Sequence, residues 1–232
     1  MRVGLISDVH ANAPALQAVL EDMPPVDHLI HAGDVVGYGG FPHDVLAEFR
    51  QRSIASIQGN HDRAVLGEFH DEFHRIPKAA ALWTTDQLSE DELSYLDDLP
   101  VESAFVNGHV SVAHGAPGEP NTYTYPENFD ASLLGNETVL VLGHTHKQAS
   151  RSFDEGTIVN PGSVGLPRDG DPRAAYALLD CDSWTVDLCR VDYNIERAQE
   201  AIREHGLPVE LIDGLEHGEL MFGRPEQAAE DA

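Results

Sequence analysis

The chain has 232 residues, 41% of them hydrophobic, and its formal net charge of −26 results from 14 basic residues against 40 acidic ones. This length fits one large domain or two small ones, and because no linker or internal repeat divides the sequence, we expect a single domain over residues 1–232. The charge argues against general binding to nucleic acids and to anionic membranes, since both need clustered lysine and arginine.

The acidic residues are spread along the whole chain, and the only lysines are Lys78 and Lys147. A binding patch would instead concentrate its acidic residues in one part of the sequence. The pattern favours a salt-adapted (halophilic) surface, on which dissolved salt screens the repulsion and net charge keeps the protein in solution. An acidic surface for a protein partner is the alternative.

The two cysteines, Cys181 and Cys189, lie asymmetrically about a predicted turn at residues 182–183, so we expect no disulfide between them. The N-terminus has no charged-then-apolar leader, and no apolar run approaches the roughly 20 residues that span a bilayer. We therefore expect a cytoplasmic protein with no membrane partner.

The first half of the chain alternates between strand and helix patterns. Apolar runs predict buried strands at residues 3–7, 27–31 and 54–58, and helical spacing predicts helices between them at residues 13–21 and 44–52. This alternation is typical of parallel β-α-β units. Residues 79–99 predict one or two surface helices, with a capping box from Ser89 to Glu92.

The second half predicts antiparallel hairpins. Their predicted strand pairs are residues 102–106 with 110–113 around Asn107-Gly108, 148–153 with 157–160, and 174–180 with 185–191. A further buried strand is predicted at residues 138–142, and residues 195–232 predict two helices and a polar, frayed end from Pro225. Two sheets packed face to face, with helices outside, would bury all of these strands.

Five short polar motifs lie at the ends of predicted strands or directly after them. They are Asp8-Val9-His10, Gly33-Asp34, Gly59-Asn60-His61-Asp62, Ala113-His114-Gly115 and Gly143-His144-Thr145-His146. Strand ends are where an α/β fold collects side chains from distant parts of the sequence. With His61 and Asp62 set aside, the motifs supply two Asp, one Asn and four His, about the set that two adjacent metal ions need.

The spacing and chemistry of these residues suggest how they would bind metal. Residues two apart at a strand end point to the same side, so Asp8 and His10 are expected to meet one ion. Asp34 has two carboxylate oxygens and can bridge two ions. Mixed nitrogen and oxygen donors suit Mn, Fe, Zn, Ni or Co better than Ca or Mg, and the absence of thiolates argues against a closed structural zinc site.

In this order, the five motifs resemble those of the calcineurin-like metallophosphoesterases, and residues 160–165 resemble a segment of the small bacterial and archaeal phosphodiesterase branch. The resemblance implies an α/β fold, an αββα four-layer sandwich of two mixed sheets, with a dinuclear site at the sheet edges. It implies that one ion takes Asp8, His10, Asp34 and His146, and the other Asp34, Asn60, His114 and His144. Manganese is the first expectation for both ions. Ala11 departs from the glycine of many relatives.

The resemblance also implies the reaction. A hydroxide bridging the two ions attacks phosphorus, and His61 protonates the departing oxygen as general acid. Asp62 either orients His61 or caps a helix that begins there, and the cap is the favoured interpretation.

Three residues are candidates for binding substrate. Asn12 either touches the substrate phosphate or holds His10 in place, and Arg63 and Arg168 are candidate phosphate contacts, with surface salt bridges as their alternative. His31 is expected to have a structural role.

The predicted function is therefore a metal-dependent phosphoric ester hydrolase acting on a small phosphoester, most simply a phosphodiester. The alternatives are a protein or nucleotide phosphomonoesterase, and a scaffold of the same fold that binds metal without catalysis. Homo-oligomerisation stays open.

Overall fold

The computed structural model of the chain describes residues 1–69 and 73–220. The polar end predicted from Pro225 lies outside the described residues. In the described part of the chain, no helix is long and apolar enough to cross a membrane.

Two five-stranded mixed sheets form the centre of the molecule. The first sheet has the order β10-β9-β1-β2-β3 and the second β4-β5-β6-β8-β7. The strands of the first sheet are β1 (Arg2–Ile6), β2 (His28–His31), β3 (Ala55–Ser56), β9 (Ala174–Asp180) and β10 (Thr185–Val191). Those of the second sheet are β4 (Glu102–Phe105), β5 (Val110–Ala113), β6 (Val139–Val141), β7 (Ala149–Ser152) and β8 (Thr157–Asn160).

Seven α-helices accompany the sheets in the described part of the chain. They are α1 (Ala13–Asp22), α2 (Pro42–Arg52), α3 (Asn60–Val65), α4 (Arg75–Gln87), α5 (Glu90–Asp97), α6 (Ile195–Glu204) and α7 (Glu210–His217). The predicted region 79–99 is thus two helices. The second of them begins at the predicted capping box, in which the Ser89 hydroxyl accepts the Glu92 N–H and the Glu92 carboxylate accepts the Ser89 N–H.

The main apolar core lies between the sheets. Val3, Leu5 and Ile30 of the first sheet pack in one cluster with Val112 and Val141 of the second. Each of these side chains is fully or almost fully buried, which explains why the strands are apolar at alternating positions and pack as two facing layers. The predicted sandwich of two mixed sheets is confirmed.

The outer layers of the two sheets differ in thickness. Helices α1, α2 and α5 cover the first sheet through Leu16, Phe49 and Leu96. The second sheet is covered around Leu140 by Phe129 and its neighbours, which lie in a segment whose helical parts are two 3₁₀ turns at Pro126–Asn128 and Ala131–Leu133.

The three predicted antiparallel pairs form, as β4 with β5, β7 with β8 and β9 with β10. The first connection is longer than a two-residue turn: Phe105 pairs with Val110, and Asn107 adopts a left-handed φ of 56° inside a 3₁₀ turn. Both cysteines are free, as predicted.

Candidate active site

The five sequence motifs meet at one edge of the molecule. Strands β1, β2 and β3 run parallel in the first sheet, and β5, β6 and β8 run parallel in the second. The motifs lie at the carboxyl ends of β1, β2, β3, β5 and β6, where the third motif runs into the first turn of α3. Residues 160–165 begin at the last residue of β8. Parallel strands present these ends at a common edge, which is why residues more than 100 positions apart become neighbours.

The loops that carry the donors have an unusual backbone. Asp8, His10, Asp34, His144 and His146 all have left-handed φ angles, between 49° and 65°. This region costs free energy for residues other than glycine and is concentrated at functional sites. Strand alternation predicts that Asp8 and His10 point to the same side, but β1 ends at Ile6. The left-handed turn, and not the pleat of a strand, orients their side chains.

The first group of donors contains Asp8, His10, Asp34 and His146, with ligand atoms within 4.8 Å of one another. The Nε2 atoms of His10 and His146 are 3.0 Å apart. Nε2 of His146 lies 3.2 Å from Oδ1 of Asp8, and Nε2 of His10 lies 3.6 Å from Oδ2 of Asp34. All four residues are buried.

The second group shares Asp34 with the first and adds His114 and His144. Nε2 of His114 is 3.3 Å from Oδ2 of Asp34 and 3.0 Å from the amide oxygen of Asn60. The side chain of Asp34 therefore lies between the two groups.

Backbone carbonyls determine which ring nitrogens face the centre. Nδ1 of His10 donates to the Val36 carbonyl at 3.3 Å, Nδ1 of His114 donates to the Ala32 carbonyl at 2.7 Å, and Nδ1 of His146 donates to a third carbonyl. A neutral imidazole that donates from Nδ1 presents a lone pair at Nε2. The lone pairs of His10 and His146 thus point at each other, an arrangement that a shared cation stabilises.

In each of the carboxylates of Asp8 and Asp34, one oxygen accepts a backbone N–H and the other does not. Oδ2 of Asp8 accepts the His144 N–H at 3.2 Å, and Oδ1 of Asp34 accepts the His61 N–H at 2.8 Å. Within the described part of the chain, three buried atoms have no hydrogen-bond partner: Oδ1 of Asp8, Oδ2 of Asp34 and Nε2 of His144. Buried polar atoms are rarely left without partners, so these three atoms fit a bound metal.

Charge in the site also suits cations. Burial raises the pKa values of Asp8 and Asp34, but the surrounding imidazoles outweigh burial and hold both below the usual range. Burial lowers the pKa of His114, whereas the Asp34 carboxylate raises it by more, to about 9. Burial lowers the pKa of His10 well below its usual value. Two carboxylates and several neutral imidazoles form a buried cluster able to bind metal ions.

His61 lies beside this cluster at the start of α3. Its ring centroid is 4.7 Å from that of His10, 4.3 Å from that of Tyr38 and 4.9 Å from that of Phe73. Burial lowers the pKa of His61 to about 3, against the opposing effect of Asp34. Its Nδ1 has no hydrogen-bond partner among the described residues.

Asp62 joins the start of α3 to the loop after β2. Its carboxylate accepts the N–H groups of Gly59, Asp34, Val35 and Val36 at 2.9 to 3.3 Å. The favoured helix-cap interpretation agrees with the Gly59 contact, and the other three bonds fix the Asp34 loop. Burial and the nearby charge of Asp34 raise the pKa of Asp62 to about 6.

The segment after β8 supports two of the donor loops. The Ser163 hydroxyl donates to the Asp8 carbonyl at 2.7 Å, and the Asn160 amide donates to the Gly143 carbonyl at 2.7 Å. The Leu166 carbonyl accepts from Nδ1 of His146. Residues 160–165, which the sequence marks only through a family resemblance, and the adjoining Leu166 therefore hold the loops of Asp8, His144 and His146 in place.

The three predicted substrate contacts have different surroundings. Asn12 caps α1 by accepting the Ala15 N–H and donates to the Gly165 carbonyl at 2.9 Å, so its amide links α1 to the segment after β8. Arg168 lines an open cleft above the donor cluster, where it donates to the Tyr38 hydroxyl at 3.2 Å. Arg63 does not line this cleft and donates to the Asn121 side chain at 2.5 Å.

Several residues that the sequence does not mark individually as substrate contacts line this cleft with Arg168. They are Tyr38, Phe73, His74, Pro77, Tyr123, Tyr125, Glu127, Thr145, Lys147, Glu219 and Leu220. Thr145 lies inside the Gly143-His144-Thr145-His146 motif and Lys147 directly follows it, so the motif itself points to both positions. His31, expected to be structural, is buried with Nδ1 2.7 Å from the Ser56 hydroxyl.

The fold and this donor set together define a metallophosphoesterase, and a family model described as the calcineurin-like phosphoesterase superfamily domain matches residues 1–184. The chain therefore belongs to the calcineurin-like phosphoesterase superfamily, as the order of its motifs suggested.

Particular relatives come from archaea and bacteria. An uncharacterized protein of Methanocaldococcus jannaschii is 33% identical over 92% of this chain and 96% of its own length. The phosphodiesterase YfcE of Escherichia coli K12 is 29% identical over 80% of this chain and 91% of its own length. The crystal structure of a metallophosphoesterase from Sphaerobacter thermophilus superimposes with a TM-score of 0.77 at 36% identity, covering 94% of this chain and 99% of that one. These similarities support the small bacterial and archaeal branch.

Proposed function

We propose that the chain is a dinuclear metal-dependent phosphodiesterase that hydrolyses a small phosphoester, with His61 as the general acid. The observation that carries this proposal is the pair of donor groups joined at Asp34. The kinship with a relative named as a phosphodiesterase supports the diester preference.

The residues present fit two ions. Asp8, His10, Asp34 and His146 would hold one, and Asp34, Asn60, His114 and His144 the other. Bound divalent ions would supply Lewis acidity toward the phosphoryl oxygens and lower the pKa of a coordinated water. The nitrogen and oxygen donors suit manganese, with Fe, Zn, Ni and Co as alternatives.

The chain's own groups prepare the substrate for reaction. Hydrogen bonds from Nδ1 to backbone carbonyls keep the imidazoles of His10, His114 and His146 in fixed orientations. Arg168 lies in the cleft with its guanidinium beside the Tyr38 hydroxyl. It offers positive charge and directional donors to the phosphate of a bound diester.

His61 would deliver the proton that the departing oxygen needs. The rings of His10, Tyr38 and Phe73 restrict its orientation. Because burial keeps the ring neutral in the free protein, the negative charge of a bound phosphodiester is what would favour the protonated form.

The alternatives differ in what they require of the site. A metal-binding scaffold does not need His61, whereas this chain holds it beside the donor cluster among three aromatic rings. A phosphomonoesterase must accommodate a dianion, and the cleft carries the carboxylates of Glu127 and Glu219 as well as its cations. The first observation favours an enzyme over a scaffold, and the second favours a diesterase over a monoesterase.

The test is a comparison of activities after metal reconstitution. Protein stripped with a chelator is reloaded with Mn, Fe, Zn, Ni or Co and assayed with bis(4-nitrophenyl) phosphate and with 4-nitrophenyl phosphate. We expect activity to require metal, to be highest with manganese and to favour the diester. Preference for the monoester would support a phosphomonoesterase, and metal binding without hydrolysis of either compound would support the scaffold.

A further inference from the structure

One wall of the cleft is a row of aromatic rings that begins at a donor of the metal cluster. The ring of Tyr123 stacks on that of His144, with centroids 3.9 Å apart and planes inclined by 29°. The ring of Tyr125 continues the row, 6.0 Å from that of Tyr123 and inclined to it by 16°. Both tyrosines are partly exposed and line the cleft, so the row extends from the candidate reaction centre into the space open to substrate.

Positive charge is concentrated beside this row. The ammonium group of Lys147 lies 5.4 Å from the centroid of the Tyr125 ring, and Arg168 lines the same cleft. The chain has only two lysines and a net charge of −26, so a lysine at this position contrasts with the acidic character of the rest of the chain. It provides an attractive site for an anion on a protein that otherwise repels anions.

The cleft also limits how much negative charge it accepts. Glu127 and Glu219 line it together with the two cations, and both glutamates are exposed. Two carboxylates offset the charge of Lys147 and Arg168. Away from the donor cluster, the cleft therefore has no excess positive charge to hold further phosphates, so a ligand with one phosphate is better matched than a polyphosphate chain or a longer nucleic acid.

The cleft has two further aromatic side chains near its reaction centre. Tyr38 and Phe73 line it beside His61, with ring centroids 4.3 and 4.9 Å from that of His61. Both side chains are almost fully buried, so the partly exposed tyrosines Tyr123 and Tyr125 are the rings that a ligand can reach. Aromatic rings favour stacking partners with planar faces, and nucleobases stack on tyrosine irrespective of base identity.

We propose that Tyr123, Tyr125 and Lys147 form a nucleobase platform, and that the substrates of this site are small nucleoside phosphodiesters. The inference rests on the proposed phosphodiesterase function. In the reaction one P–O ester bond breaks and the oxygen of a water forms the new P–O bond. The departing oxygen takes up a proton, leaving a nucleoside monophosphate and an alcohol. The base stacks along the Tyr123–Tyr125 row, and Lys147 binds the phosphate or sugar edge next to it.

Two substrates with the same leaving group test the platform. They are the 4-nitrophenyl ester of thymidine 5′-phosphate, which carries a base, and ethyl 4-nitrophenyl phosphate, which does not. Stacking on an aromatic side chain is worth about 1–3 kcal/mol per base, which corresponds to about 5- to 150-fold in binding. We expect the KM of the thymidine ester to be lower by at least about 5-fold, with similar kcat values for both.

Variants then assign the effect to the platform. Tyr125→Leu should abolish the difference in KM between the two esters, and Tyr125→Phe should preserve it because the ring remains. Lys147→Ala should raise the KM of the thymidine ester. Lys78→Ala removes the chain's other lysine, which lies over Phe69, and should change neither KM.

Calorimetric titration with thymidine 5′-monophosphate separates this proposal from the proposed function. Binding that Tyr125→Leu weakens, in a protein that hydrolyses neither ester, would support the platform and overturn the phosphodiesterase. Hydrolysis of both esters with equal KM would overturn the platform and leave the phosphodiesterase standing. An equal rise of both KM values in Tyr125→Leu would mean that the ring contacts the nitrophenyl group, which both esters carry. That result would also overturn the nucleobase assignment.

Discussion

The carboxylate of Asp62 accepts the backbone N–H of Asp34 at 3.0 Å. This bond links the first turn of α3, which carries Asn60 and His61, to the loop that carries the donor shared by both metal groups. Three further N–H groups converge on the same carboxylate. The residue is fully buried, so the geometry of the site depends on a side chain that does not itself face the metal cluster.

Replacing Asp62 should therefore destabilise the protein and loosen the site. Asp62→Ala leaves four buried N–H groups without their acceptor, and we expect a loss of about 3 kcal/mol or more in the free energy of unfolding. Urea denaturation measures this loss. Asp91→Ala, which removes an exposed ion pair with Arg50, is the control and should change stability by about 1 kcal/mol or less. A loss as small as the control's would show that water replaces the carboxylate without cost.

Asp34→Asn should have the largest effect on metal content of any single donor change. The neutral amide removes a negative charge that both donor groups share, so occupancy of both sites should fall together. Elemental analysis after manganese reconstitution is the measurement, and we expect about two ions per chain in the wild type. Asp91→Asn is the matched control. Retention of two ions by Asp34→Asn, or at most one ion in the wild type, would contradict the dinuclear proposal.

His61→Ala should separate catalysis from metal binding. If His61 protonates the departing oxygen, the variant keeps its metal and loses about 10²- to 10⁴-fold in kcat. The loss should be smaller for a nitrophenolate leaving group, which needs little protonation, than for an alkoxide. Equal losses for the two leaving groups would rule out the proton-donor role, and loss of metal would mean that His61 supports Asn60 instead.

Salt should stabilise the protein if the acidic surface is an adaptation to it. The net charge of −26 produces repulsion that falls as the screening length shrinks, from about 10 Å at 0.1 M to about 3 Å at 1 M salt. We expect the melting temperature to rise steadily between these concentrations in sodium and in potassium chloride. A flat profile would favour the alternative, an acidic surface that binds a partner.

Acid should remove the contribution of the α5 capping box. Burial raises the pKa of Glu92, but hydrogen bonds from Ser89 and the contact with His43 outweigh burial and lower it from 4.5 to about 2. A carboxyl whose pKa is lower in the folded than in the unfolded state stabilises the fold above its unfolded pKa. This stabilisation is lost as the pH falls from 4.5 toward 2.

Glu92→Gln tests this titration. The stability difference between wild type and Glu92→Gln should be largest near neutral pH and should shrink progressively below pH 4.5. Urea denaturation at several pH values measures it, with the exposed residue Glu90 replaced by Gln as the control. A difference independent of pH would show that the contribution of Glu92 does not depend on its charge.

Much of the fold was predictable because its signals are local. The capping box from Ser89 to Glu92 and the antiparallel pairs depend on residues a few positions apart, and the structure forms them as predicted. The third strand is shorter than its apolar run: residues 54–58 predict a strand, but only Ala55–Ser56 pair with β2. The length of this strand is decided by the neighbouring strand, which its own sequence does not describe.

The candidate donors and their order could be predicted from the sequence, because the chemistry of a metal site restricts which residue types can serve. How these residues meet depends on the folded chain: left-handed turns orient Asp8 and His10, and the oxygen and the nitrogen of the Asn12 amide both bond within the protein. The aromatic row of Tyr123 and Tyr125 likewise has no local signature. Its position depends on where a long loop packs against the edge of the sheets that carries the metal donors. Such packing follows from contacts between residues far apart in sequence.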